Sequence, residues 1–211
     1  MIKGIISKDR VKQFGEVFTP DSIVCDMIDL VEKQWGNISD EEYISKTYLE
    51  PACGDGQFII RLLSRKLERV TKLPVGEREL ALIKTISSIY GVDIQDDNVT
   101  KCKKRMLDII FGKEVETFDL SGTNKIKIDL GIEITDMVKG VIESIINANI
   151  IEGNTLETTT MYEYEFKGKN VRTRQFEFTP NSEFSYNWKN YVDYNEIASI
   201  LCEEEPETFN W

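Results

Sequence analysis

No stretch restricts the fold of this chain as tightly as Tyr48-Leu49-Glu50-Pro51-Ala52-Cys53-Gly54-Asp55-Gly56-Gln57-Phe58. It reads as a short strand, a glycine turn and the first residues of a helix, with Glu50 where the strand ends. A buried strand that brings its backbone close to a ligand and then reverses into a helix needs residues without a Cβ at the turn, and Gly54 and Gly56 meet that need. A glycine pair also serves strand-to-helix turns for steric reasons alone, so the turn by itself leaves ligand binding and close packing both open. Beyond it, Phe58, Ile59, Leu62, Leu63 and Leu67 recur at helical spacing, and Leu80 to Ser87 reads as a further short helix.

The residues around the two glycines narrow the choice. The sequence from Glu50 to Phe58 resembles the first motif of the class I methyltransferases that use S-adenosylmethionine, specifically the adenine-N6 DNA methyltransferases: Asp/Asn/Glu-Pro-Ala-Cys-Gly-x-Gly-x-Phe, with every position filled. A second point of resemblance lies about thirty residues upstream, where Gly15-Glu16-Val17-Phe18-Thr19-Pro20 matches the Glu-x-Phe-Thr-Pro segment of the same family. The resemblance implies a Rossmann-like methyltransferase fold, an α/β architecture with a mostly parallel doubly wound sheet. It further implies that Phe18, Thr19 and Pro20 meet the methionine end of S-adenosyl-L-methionine, and that Glu50, Ala52, Gly54, Gly56 and Phe58 belong to the cofactor site. After Pro20, Asp21 or Ser22 can cap a helix running to about Gln34, in which Ile23, Met27, Leu30 and Val31 make one apolar face.

Ser88-Ile89-Tyr90-Gly91-Val92-Asp93-Ile94 is a clear strand signal that ends in an acid, and a helix through Phe111 follows Gln95-Asp96-Asp97-Asn98. A carboxylate at the C-terminal end of the second strand of such a sheet can accept hydrogen bonds from both ribose hydroxyls. Asp93, with Ile94 beside it, is the candidate; the competing role, a helix N-cap, suits Asp96 or Asp97 better. Residues 112 to 147 read as an insertion, with an alternating stretch at Ile126, Ile128, Leu130 and Ile132 and a helix from Asp136 to Asn147. Then Ala148 to Leu156 resembles the third family motif, Gly-Asp-x-Leu, which implies that Asn154, in place of the aspartate, accepts a hydrogen bond from the adenine amine, with Leu156 adjacent. An amide oxygen can do so without charge, which makes a weaker contact.

From Met161 to Phe178 the pattern changes to two alternating runs around Lys167-Gly168-Lys169-Asn170, a β-hairpin with Tyr162, Tyr164 and Phe166 on one face and Glu163 and Glu165 on the other. Phe176 and Phe178 are assigned to the same aromatic face, which packs on the sheet or on another protein chain. Residues 157 to 211 thus form a hairpin followed by an acidic tail at Glu203-Glu204-Glu205, appended to a cofactor-binding core over 15 to 156 in a single domain. The family holds its target amine with Asn/Asp-Pro-Pro-Tyr/Phe, and that tetrapeptide is absent. Catalytic residues therefore stay unassigned.

Three readings follow. The first is a DNA (adenine-N6) methyltransferase completed by an atypical loop or by a partner subunit that also recognises the target. The second is a catalytically inactive cofactor-binding subunit with a regulatory or interaction role, and the third a methyltransferase for a small molecule or a protein. Against unaided DNA binding stands a formal charge of −11, from 26 Lys and Arg against 37 Asp and Glu. Lys66, Arg69, Lys101, Lys103, Lys104 and Arg105 are the local clusters of cations. There is no histidine, and Cys25, Cys53, Cys102 and Cys202 lack paired zinc spacing, so no metal site is expected. No apolar run reaches the roughly 18 residues of a membrane span, and the N-terminus lacks a signal-peptide core, so a cytoplasmic protein is expected, with homo-oligomerisation open.

Overall fold

The computed structural model describes residues 17–157, 159–178 and 189–202, together with Asp9, Val11 and Lys12. The chain is α/β. Helix α1 (Asp21–Glu32) is followed by a 3-10 turn (Lys33–Trp35), the short helix α2 (Asp40–Ser45) and strand β1 (Tyr48–Glu50). Next come α3 (Gln57–Val70), α4 (Val75–Ser87), β2 (Ile89–Asp93) and α5 (Asp96–Ile110). A hairpin of β3 (Val115–Asp119) and β4 (Gly122–Ile126) precedes α6 (Asp136–Asn149) and β5 (Ile150–Glu152). Strands β6 (Thr159–Lys167), β7 (Asn170–Phe178) and β8 (Val192–Asp193), a second 3-10 turn (Tyr194–Glu196) and helix α7 (Ile197–Cys202) complete the described elements.

Parallel pairing is narrower than the sequence suggests. Among the described residues it is confined to a three-stranded sheet in the order β1-β2-β5, with Glu50 opposite Gly91 and Asp93 opposite Glu152. The β3–β4 and β6–β7–β8 sheets are antiparallel. β2 is the central strand, and its Ile89, Tyr90 and Val92 are buried, as expected of a parallel strand covered on both faces. Within 112–147 only the β3–β4 hairpin is an addition. α6 belongs to the main core, where Val138, Val141, Ile142, Ile145 and Ile146 are buried, because it leads the chain back to lay β5 parallel to β2. The predicted alternation stops at Ile126; Ile128 and Leu130 are buried outside any strand.

α1 corrects two expectations. Neither Asp21 nor Ser22 caps it: Asp21 is the first helical residue and Pro20 holds the N-cap position without a side-chain hydrogen bond. The face of Ile23, Met27, Leu30 and Val31 stays 42–62% exposed, while Val24 and Ile28 enter the core. The helix is apolar on both sides, and periodicity cannot tell which side the fold covers.

The cations of these clusters divide between the interior and the exposed surface. Lys66 is completely buried. Arg69 pairs with Asp40, Lys101 with Asp97, Lys104 with Asp108 and Arg105 with Asp55. Lys101 and Lys104 form their pairs at the exposed surface, whereas Arg105 is largely covered.

In the hairpin, β6 and β7 turn at Gly168, φ +61°, with Lys167 opposite Asn170. Glu163 and Glu165 form ion pairs with Arg174 and Arg172 across the strands. The register places Phe166 opposite Val171 and Tyr164 opposite Thr173, whereas Phe176 lies opposite Met161. The aromatics are therefore divided between two faces rather than gathered on one, because Phe176 is out of phase with Tyr162; the side chain of Phe178 lies outside what is described. Tyr164 and Phe166 pack on the main core, and Phe176 meets Tyr90 edge-on at 6.3 Å. The Tyr164 hydroxyl donates to Asn149 Oδ1 at 2.9 Å, and Asn149 Nδ2 in turn donates to the carbonyls of Ile86 and Ile89. Tyr164→Ala is expected to cost about 3 kcal/mol of stability and Tyr164→Phe about 1 kcal/mol, read by chemical denaturation. Equal stability of both variants would mean the ring's packing carries nothing. Phe184, Tyr186, Asn187, Trp188 and the acidic run after Cys202 lie outside the described residues.

Candidate functional site

The ends of the three parallel strands open into one cavity of about 580 Å³. Glu50 ends β1, Asp93 ends β2, and the segment after β5 carries Asn154; all three face this space, and the loop before α1 closes it with Phe18 and Thr19. Of the residues expected in the cofactor site, Ala52, Gly54, Phe58, Ile94 and Leu156 line it as well, and only Pro20 and Gly56 do not. Ile94 and Leu156 are 54% and 83% exposed, which places them at its mouth.

The glycine turn is built by backbone bonds to β2. Cys53 N donates to the Val92 carbonyl at 2.8 Å, and Gly54 N donates to Asp93 Oδ2 at 2.8 Å. Gly54 has φ +52°, and a Cβ there would stand 3.3 Å from the Phe18 ring, so the turn and the loop before α1 face each other closely. Gly56 has another task. At φ +89° it begins α3, and an added Cβ would lie 2.6 Å from Cys102 Sγ on α5, so this glycine admits a neighbouring helix rather than a ligand. Gly56→Ala is expected to lower stability by about 2 kcal/mol or more. Gly140→Ala, inside α6 with open space around it, should raise stability by about 1 kcal/mol in the same denaturation assay. Pro20 shapes the loop only by starting α1.

Asp93 is held by its own loop. Besides Gly54 N, its carboxylate accepts from Gln95 N at 3.0 Å and Asn98 Nδ2 at 3.4 Å. Asn98 was not singled out from the sequence, yet it is 1% exposed and lines the cavity. The available signal was its place in the first helical turn after a strand-end acid. Glu50 accepts from Ala52 N at 3.2 Å, and burial pushes its carboxyl pKa up. Asn154 closes a turn of its own: Oδ1 accepts from Leu156 N at 3.1 Å while Nδ2 donates to Glu157 Oε1 at 3.3 Å. The amide oxygen keeps a second lone pair for a ligand.

Chemically, the cavity offers carboxylates, amides and apolar walls. Among the described residues lining it are Glu50 and Asp93 but no Lys or Arg. An anionic ligand would be repelled; one that donates hydrogen bonds or carries positive charge suits it. No group of side chains among the described residues could hold a metal ion, and no helix among them is long and apolar enough to cross a membrane. The sequence matches no protein-family model, and neither curated proteins nor solved structures yield a match.

Proposed function

We propose that the cavity binds S-adenosyl-L-methionine and that the chain is a methyltransferase-type protein with a Rossmann-like core. The observation that carries this reading is the convergence of the segments at Phe18, Glu50, Asp93 and Asn154, far apart in the chain, on one cavity that carries two carboxylates and no cation. Glycine turns of this type also bind phosphates, but a dinucleotide or nucleoside triphosphate would set its charges against Glu50 and Asp93. A nucleoside with free ribose hydroxyls and an ammonium group suits both acids: Asp93 has a fixed oxygen pair for the hydroxyls, and Glu50, strained by burial, gains from a nearby cation. Asn154 and the apolar wall then serve the base. Bound cofactor would supply the transferable methyl group; the chain's own residues orient it.

The acceptor side favours the reading in which a partner subunit completes the protein. Among the described residues β1 pairs with β2 alone, and a small apolar pocket lined by Leu49, Phe58 and Tyr90 lies where α3 covers these two strands. The exposed stripe of α1 meets the cavity wall at Met27. These surfaces suit a protein element bearing the residues that hold a target amine, with DNA as its substrate. Calorimetry with S-adenosylmethionine and its demethylated product is the direct test. Comparable affinities are expected, because ribose, adenine and the amino-acid end are shared by both. No heat with either ligand at about millimolar concentration, where even weak sites fill, would overturn the reading. Transfer of labelled methyl to DNA by the chain alone would show that no partner is required, and absence of transfer to any acceptor in the presence of a partner would favour the non-catalytic subunit.

A further inference from the structure

The β3–β4 hairpin belongs to none of the sequence motifs, yet β3 contacts α1 and α3, the helices that follow two of them. Pro20 leaves the first amides of α1 without a side-chain cap, and the cap arrives from β3: Ser22 N donates to Asp119 Oδ2 at 2.8 Å across 97 residues. Asp119 is 8% exposed, and Ser121 N and Oγ hold its other oxygen at 3.3 and 3.4 Å. From β4, Asn124 Nδ2 donates to Asp21 Oδ2 at 2.7 Å. Asp21 is buried and forms an ion pair with Arg61 of α3, the helix that leaves the glycine turn. On the other side, Arg105 of α5 donates to the Asp55 carbonyl at 2.7 Å and to Gln57 Oε1 at 3.0 Å, and also to the Glu116 carbonyl of β3 at 2.7 Å.

We infer that the hairpin is a positioning clamp for the cavity, in which Asp119 sets the loop of Phe18 and Thr19 against the glycine turn that Arg105 ties to the same hairpin. The geometry requires some such brace. Phe18 packs so close to Gly54 that a methyl group would not fit comfortably between them, and the loop carrying Phe18 has no cap of its own at the start of α1. An aspartate at a helix N-terminus answers both the open amides and the positive end of the helix dipole. Asp119, Asn124 and Arg105 are positioning residues. They act on a ligand only through Phe18, Thr19 and the turn.

This inference concerns the cavity proposed above as a cofactor site, but its main test needs no ligand. Hydrogen exchange is followed in the segments 17–24 and 52–57 of wild type, Asp119→Ala, Asp119→Asn and Asn124→Ala. Asp119→Ala is expected to speed exchange about tenfold or more in 17–24 and measurably in 52–57, at unchanged rates in α6. Asp119→Asn, which keeps an acceptor oxygen, should restore most of the protection. If Asp119→Ala unfolds the protein, the milder Asn124→Ala carries the test with the same two segments. Faster exchange confined to the hairpin, or no rescue by Asn, would overturn the clamp. Titration with S-adenosylmethionine adds the functional reading: about tenfold weaker binding for Asp119→Ala and near-native binding for Asp119→Asn. Wild-type protein that does not bind the cofactor would refute the proposed ligand while the exchange result still decides the clamp.

Discussion

Asp93→Ala is expected to weaken binding of S-adenosylmethionine about a hundredfold, from two losses that add. The first, on the proposed cofactor reading, is the ligand's: two ribose hydroxyls would lose their acceptor in a half-buried site. The second is the protein's, since Gly54 N, Gln95 N and Asn98 Nδ2 lose the carboxylate that gathers them. Each buried donor left without an acceptor costs about 1–3 kcal/mol, and tenfold in affinity corresponds to about 1.4 kcal/mol. Only part of this falls on binding; the rest lowers stability, so calorimetry and thermal unfolding are to be read together. Asp93→Asn should lie between, because one oxygen remains while the new amide NH₂ faces a donor at Gly54. Wild-type affinity in the alanine variant would separate Asp93 from the ligand and leave it as a brace of the glycine turn.

The second large effect concerns Lys66, which has no carboxylate partner among the described residues. Its Nζ donates to the Ile44 carbonyl at 2.9 Å, the Lys46 carbonyl at 2.5 Å and Ser88 Oγ at 2.5 Å, and it stands 5.1 Å from the Tyr48 ring. The three bonds tie the C-terminal end of α2 to the start of β2 beneath the sheet. Burial pushes the amine pKa down to about 7. The unfolded chain therefore binds more protons than the folded one between about pH 7 and about pH 10.5, and stability rises with pH across that window. Below about pH 7 both states are protonated and the contribution is lost. Lys66→Met abolishes this dependence and removes the donor from the Lys46 carbonyl, while the Ile44 carbonyl keeps Ser88 Oγ at 3.2 Å, so its destabilisation should be larger at pH 9 than at pH 6, by on the order of 2 kcal/mol. Denaturant titrations of both proteins at the two pH values measure that difference. A pH-independent gap would mean that the three acceptors keep the ammonium charged throughout.

Much of the candidate site was legible because its signals are local. A glycine turn after a strand and an acid at a strand end are dictated by backbone geometry over a few residues, the resemblance to family motifs named Phe18, Thr19 and Asn154, and the cavity gathers nearly all of these residues. The β6–β7 hairpin was legible for the same reason, since period-two alternation around a glycine turn specifies both strands. The errors fall where local pattern is degenerate. An apolar stripe on α1 looks alike whether it faces core or solvent, and a lysine near other cations looks like surface until the fold buries it.

By itself, then, the sequence determined the strand, turn and helix units around β1 and β2 and the acids that end those two strands. Tertiary structure alone decided that Gly56 serves the contact with Cys102, that Lys66 closes a buried joint and that Asp119 caps a helix 97 residues away. Those outcomes depend on which distant atoms arrive within hydrogen-bonding or van der Waals range. That is settled by the packing of whole elements, and no window of neighbouring residues carries it.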